Sequence, residues 1–305
     1  MKTIGKLMFI LSFILYTGCT NKELCPDCEP QEGVEIKFDW KYADAIPSGM
    51  TVLFYSMDDQ LIYTFNNVPP KGEMIAIKAG KYKVACYNND TEYVQWSGED
   101  NLDSLHVSSR TTEISGIPGV NDSGESLVAV PDLLYGDVLS QTEILPFRPG
   151  IQIVLLTPEP IPDYYTYQVS SIVNSKYVTK VQATLSGLSN SYYPANPDYQ
   201  IVSAVIPFKD NEMNIAQEMA TGEMINLGNF KARAVKNILT LYLWTPAGNF
   251  RAVYDVTDQV VNAPDPHHVH IIIKTSIVIP PPIEGGEGLD PSVDEWKDIN
   301  YDIIL

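Results

Sequence analysis

Val34-Glu35-Ile36-Lys37-Phe38-Asp39-Trp40 alternates apolar and charged residues without a break. In an extended chain successive side chains point to opposite faces, so Val34, Ile36, Phe38 and Trp40 share one face and Glu35, Lys37 and Asp39 the other. This is the pattern of a strand with one buried side, and it repeats outward along the chain. Strands are expected at 51–55, 61–65, 74–77, 82–87 and 93–96, separated by Pro47-Ser48-Gly49, Pro69-Pro70-Lys71-Gly72 and Asn88-Asn89-Asp90. Proline fixes φ and lacks an N–H, glycine accepts positive φ, and Asn and Asp bond their own backbone, so each cluster ends a strand. A less regular stretch follows over 97–142, with a short helix expected at 132–139. Strands resume at 151–156, 164–173, 178–185, 201–206, 238–244, 250–256 and 269–274. Turn signals about every eight to twelve residues predict an all-β chain of two tandem sandwich domains, 33–143 and 144–277.

Composition agrees. The 305 residues are 45% apolar, enough to build cores and too many for a disordered chain. Acidic residues number 38 against 20 basic, and the formal charge of -18 excludes a nucleic-acid partner, which requires clustered Lys and Arg.

The amino end reads as an address. Met1 to Lys6 is short and basic, 7–16 is apolar, and Thr17-Gly18-Cys19 places small residues before a cysteine, the pattern of a lipoprotein signal. The apolar run is too short to cross a hydrocarbon core of about 30 Å. Residues 1–18 are therefore expected to be removed and Cys19 to be acylated, which anchors the chain in the outer membrane and places it at the cell surface. Tyr16 departs from the usual leucine of such a signal. Loss of Lys2 and Lys6 makes the mature chain more acidic still. Residues 19–32 then form a tether.

Cys25-Pro-Asp-Cys28 has the spacing of a redox pair, but a Pro/Glu-rich tether supplies neither the strand nor the helix amino terminus that would lower a thiol pKa. A pair without redox function is expected there. Cys86, inside an apolar strand, reads as a small buried hydrophobe.

No G-x-S-x-G, H-E-x-x-H, Walker A loop or dinucleotide fingerprint is present. The chain is expected to be neither an enzyme nor a cofactor protein. In His267-His268-Val269-His270 the side chains of His268 and His270 share a strand face and can meet a metal with a third ligand. Polar residues opening a strand after Pro264-Asp265-Pro266 are the commoner case, so no metal site is expected. Tyr192, Tyr193 and Tyr199 fall in a Ser/Asn/Pro-rich stretch, where exposed rings can stack on sugar faces or simply pack in the fold. They are the glycan-contact candidates.

The carboxyl end has its own logic. Pro280-Pro281-Pro282 leads into Gly285-Gly286-Glu287-Gly288, a stiff step and then a flexible one, which is linker composition. Beyond it, Ile299, Tyr301, Ile303 and Leu305 alternate with Asp298, Asn300 and Asp302 up to the last residue. Residues 278–305 thus read as linker and strand, with Trp296, Ile299, Tyr301, Ile303 and Leu305 as the pairing candidates. Such a strand can close an edge of its own domain or add to a neighbour's.

Ala79-Gly80-Lys81-Tyr82-Lys83-Val84 resembles the entry into a strand of transthyretin-like sandwiches. Together with the lipoprotein signal and the terminal strand, it makes the chain resemble the fimbrillin, or type V pilus, superfamily of anaerobic didermal bacteria. Phe38-Asp39-Trp40, Gly49-Met50-Thr51-Val52, the run Tyr87 to Tyr93 and Tyr254-Asp255-Val256-Thr257 resemble in particular a lipoprotein family grouped with its anchor-type minor subunits. The resemblance implies transthyretin-like sandwiches, assembly with other fimbrial subunits by β-strand addition, membrane attachment through the lipid, and a role in cell adhesion. Shaft subunits of that superfamily are cleaved after a basic residue near the first strand. Lys37 and Lys41 stand there without an evident protease site, which favours an anchor or accessory subunit. Asp103-Ser104-Leu105 resembles an O-glycosylation acceptor of such bacteria, with Ser104 as the modified residue.

Overall fold

The computed structural model describes residues 33–146, 151–231, 235–282, 296–299 and 302–303; Cys19, Cys25, Cys28, Tyr301 and Leu305 lie outside them. In chain order the first strands are β1 (Gly33–Phe38), β2 (Met50–Tyr55), β3 (Leu61–Val68), β4 (Glu73–Ala76), β5 (Gly80–Asn88), β6 (Val94–Ser97) and β7 (His106–Ser109). Next come β8 (Tyr135–Ile144), β9 (Gln152–Leu156), β10 (Glu159–Pro160), β11 (Asp163–Val173), β12 (Lys180–Ser189), β13 (Ser191–Tyr192) and β14 (Ser203–Pro207). The last are β15 (Lys209–Asn214), β16 (Met219–Asn226), β17 (Ile238–Thr245), β18 (Gly248–Asp255), β19 (His268–Val278), β20 (Trp296–Asp298) and β21 (Asp302–Ile303), with a short helix α1 (Thr257–Val261) before β19.

These strands form two sheet pairs. A three-stranded sheet β4-β1-β9 covers a five-stranded sheet β10-β8-β5-β2-β3. Val34 and Ile36 from β1 meet Met50, Val52 and Phe54 from β2 and Tyr82, Val84 and Cys86 from β5 in one core, and Phe38 and Trp40 pack at its border. The alternation that opens the chain is thus a strand with its apolar face inward. Cys86 is sealed in that core, where burial pushes its thiol well above the ordinary range. Tyr82, the tyrosine of the transthyretin-like segment, is buried and donates its hydroxyl to the Lys78 carbonyl at 2.9 Å.

The second pair joins sheets β15-β16-β11-β19-β21 and β14-β12-β17-β18-β20. Their facing side chains, among them Tyr165, Tyr167, Leu185, Leu241 and Ile271, make the larger core. Val128 and Val130, from the long connection between β7 and β8, reach into this core as well. A small sheet β13-β7-β6 links the halves, since β13 pairs with β7 at Ser191↔Ser108 and Tyr192↔Val107.

Two expectations differ from what the chain does, and one hairpin was not expected. The helix expected at 132–139 is strand β8, paired with β5 from Gly80↔Ile144 to Tyr87↔Gly136. The strand at 151–156, counted above with the second group, runs parallel to β1 and so completes the first sheet pair. Its alternation reveals one buried face but not which neighbour covers it. The hairpin of β15 and β16 is absent from the sequence reading altogether.

Candidate functional site

The terminal segment lies along open edges of the second sheet pair. β20 pairs in parallel with β18 through Asn249↔Trp296, Phe250↔Lys297 and Arg251↔Asp298. β21 pairs with β19 through Thr275↔Ile303 and Ser276↔Asp302. β20 thus adds to one sheet and β21 to the other, and in this structure both pair within their own chain. Ile299, between the two strands, donates its N–H to the Arg251 carbonyl at 3.0 Å and packs against the larger core.

Trp296 is the best-held residue of the segment. Leu239, Leu241 and Leu243 of β17 face the core, which leaves Tyr242 and Trp244 on the opposite face. Registers Trp244↔Asn249 and Asn249↔Trp296 bring the Trp296 ring onto that same face. It meets Tyr242 edge-on at 4.8 Å and Trp244 at 4.9 Å between centroids. Its indole Nε1–H donates to the Gly116 carbonyl at 2.6 Å, so a loop from the first half of the chain closes over the ring. Gly116 has φ +81 and backs onto the Trp244 ring, a conformation that L side chains rarely adopt.

One row further along, Arg251 Nε donates to Asp298 Oδ1 at 2.5 Å, and its Nη2 lies 3.8 Å from Asp122 Oδ2. The hydrogen bond to Asp298 holds the guanidinium above its already high range. Burial raises the Tyr242 phenol beside it. Sequence reading did not single out Arg251, Asp122, Tyr242, Trp244 or Gly116. The signal was nevertheless present at 238–244, where two aromatics alternate with three leucines.

The tyrosine candidates separate. Tyr193 is buried, stacked on His106 at 4.9 Å, and Tyr192 is half-buried against Val94, Val107, Leu134 and Leu227. Only Tyr199, 49% exposed, presents its ring to solvent, touching Tyr193 edge-on at 4.9 Å. Ser104 is exposed in a single 3-10 turn, where its hydroxyl donates to the carbonyls of Gly98 and Asn101. The three clustered histidines each take a separate partner: His267 meets Asp163, His268 meets Asp265, and His270 meets Thr166. Among the described residues no helix is long and apolar enough to cross a membrane.

Solved structures share this architecture. A Bacteroides ovatus protein described as an adhesin candidate matches with a TM-score of 0.66 at 20% identity, over 87% of this chain and 98% of that one. A Bacteroides thetaiotaomicron protein described in the same way matches with a TM-score of 0.52 at 11% identity, over 84% and 94%. In sequence, a Bacteroides ovatus protein named as the fimbrium anchoring subunit Fim4B is 28% identical over 191 residues, 62% of this chain and 55% of that relative. The match therefore spans about half the length of that protein. Fold and sequence similarity together support a fimbrillin-type superfamily. The chain belongs to the DUF5119 family, described as a domain of unknown function, whose model matches residues 18–209.

Proposed function

We propose that this chain is a lipid-anchored fimbrial subunit of the anchor or accessory type. It acts in cell adhesion, held in the outer membrane through Cys19 and joined to other subunits by β-strand addition. The observation that carries the reading is the terminal segment: short strands at the end of a Pro/Gly linker, laid on edges of two sheets. A strand held at an edge by a few backbone pairs can be exchanged for the same strand of a neighbour at little net cost. The similarity to a protein named as a fimbrium anchoring subunit supports the same role. So does the position of Lys37, in a strand flanked on both sides by β4 and β9 and paired to Glu35 at 3.2 Å, where a protease has poor access.

In this reading the body is two transthyretin-like sandwiches in tandem, divided after β10, and the exposed Ser104 is available for O-glycosylation. Removing residues 293–305 should leave a folded monomer that no longer assembles with fimbrial subunits. Collapse of the second sheet pair in that variant would instead assign the strand permanently to its own domain. Cys19→Ala should move the protein out of the membrane fraction, and retention there would defeat the anchoring.

A further inference from the structure

At the end of the second sheet pair where β11 begins, a cavity of about 670 Å³ opens between β13, α1 and the segment 197–200. Its volume lies within the range of small-ligand sites, about 300–1,000 Å³. Leucine, valine and proline side chains form part of the wall, and Asp163, Tyr165, Tyr192, Gln200, Lys231 and His267 supply its polar groups.

Two of these groups have no internal use. Tyr165 is 1% exposed and its ring belongs to the larger core, yet its hydroxyl has no hydrogen-bond partner among the described residues. The Tyr192 hydroxyl is likewise unpartnered among them, while its ring packs against Leu134 and Leu227. Phenylalanine would fill either place equally well, so neither hydroxyl is needed for the packing of its ring. Most of the charged groups, by contrast, are spoken for; among the described residues Glu159, also in the wall, has no ion pair. Asp163 Oδ1 meets His267 Nδ1 at 2.7 Å, and Asp198 is bonded to Lys231. The Gln200 side chain bridges the Asn229 carbonyl at 2.7 Å and the Lys231 N–H at 2.8 Å, which fixes the wall.

Mostly paired charges, one unpaired carboxylate, free hydroxyls and apolar patches suit a neutral, hydroxyl-rich ligand better than an anion. We infer that this cavity binds a neutral saccharide of about one or two sugar units through the Tyr165 and Tyr192 hydroxyls and the free oxygen of Asp163. Sugar recognition then sits inside the end of the sandwich and not on the exposed ring of Tyr199. It is independent of where the terminal strand pairs.

The test is titration of the full mature chain, by calorimetry and saturation-transfer NMR, with glucose, galactose, mannose, N-acetylglucosamine, lactose and cellobiose, alongside the charged sugars glucosamine and glucuronic acid. At least one neutral sugar should bind saturably. Tyr165→Phe and Tyr192→Phe should each weaken it about 3- to 10-fold, the value of one hydrogen bond, with melting temperatures unchanged or raised. Tyr199→Ala should leave binding intact. Failure of every neutral sugar to bind, preference for a charged one, or loss of binding in Tyr199→Ala with retention in both phenylalanine variants would overturn the proposal.

Discussion

Gly72 shows how closely single residues are tied to this fold. It closes the Pro69-Pro70-Lys71-Gly72 turn at φ +89, and a Cβ there would stand 2.0 Å from the Ile36 carbonyl oxygen of β1. Gly72→Ala should therefore destabilise the protein by about 2–3 kcal/mol, strain and clash together, read as a lower urea midpoint. A surface ion pair gives the opposite scale. The Lys236 ammonium, bonded at 2.7 Å, and then the Thr257 hydroxyl hold Asp255 down to about 2. A carboxylate depressed in the folded state contributes stability above its unfolded pKa near 4, and that contribution is lost as pH falls toward 2. Both partners are largely solvated, so the effect stays below about 1 kcal/mol. Asp255→Asn should lower the urea midpoint slightly at pH 6, and the difference from wild type should shrink as pH falls through about 2 and be gone about one unit below it. A difference that does not shrink over that range would mean the aspartate acts through packing.

At the scale of elements, legibility depended on whether apolar residues mark the inward face. β1 was readable because Val34 and Ile36 point inward against charged neighbours, and β5 because Tyr82 and Val84 do. β16 was not, although it alternates as well: Ala220, Gly222, Met224 and Asn226 point inward, and Gly222 is there because the Tyr167 ring leaves no room for a Cβ, 2.7 Å away. A glycine and an asparagine hide the period. Its partner β15, Lys-Asp-Asn-Glu-Met-Asn, is a polar edge strand with no pattern to find. The spacing of Leu134, Val138 and Leu139 suggests a helix, but pairing with β5 overrides it. The terminal strand was legible as a strand, whereas its dock depended on registers that bring residues 116, 242, 244 and 251 together from distant segments. Trp296→Ala tests that dock. Trp296 is half-buried, so about 2 kcal/mol of stability should be lost, roughly half the cost at a fully buried site. Thermal melts and protease cleavage near the terminus should both register the loss. An unchanged melt with the tail still protected would show that backbone pairing alone holds the strand.

At the scale of the whole molecule, the two sheet pairs have separate cores but share pieces. Val128 and Val130, carried by the connection between β7 and β8, sit in the larger core, and the chain is stitched to β14 there by Val128 N–H to the Val205 carbonyl at 2.9 Å and Val205 N–H to the Ser126 carbonyl at 3.0 Å. β13, from the second half, completes a sheet with β6 and β7 from the first. Glu125, buried on the same connection, accepts the Gly187 N–H at 3.0 Å at the bulge of β12. Unfolding the second pair would thus strip Val128 and Val130 of their cover, leave β7 with one neighbour fewer and break the hydrogen bond from Gly187 to Glu125. Those costs couple the halves, and the protein should unfold in one cooperative transition despite its two cores. Leu241→Ala, which opens a cavity in the larger core only, should cost about 3 kcal/mol and lower the melting of both halves together. The readouts are calorimetry of residues 33–305 and amide hydrogen exchange of β2 and β5, which reports on the first pair. Exchange in β2 and β5 that keeps its original melting temperature while the rest of the protein melts earlier would show that the two sandwiches are independent bodies on one tether.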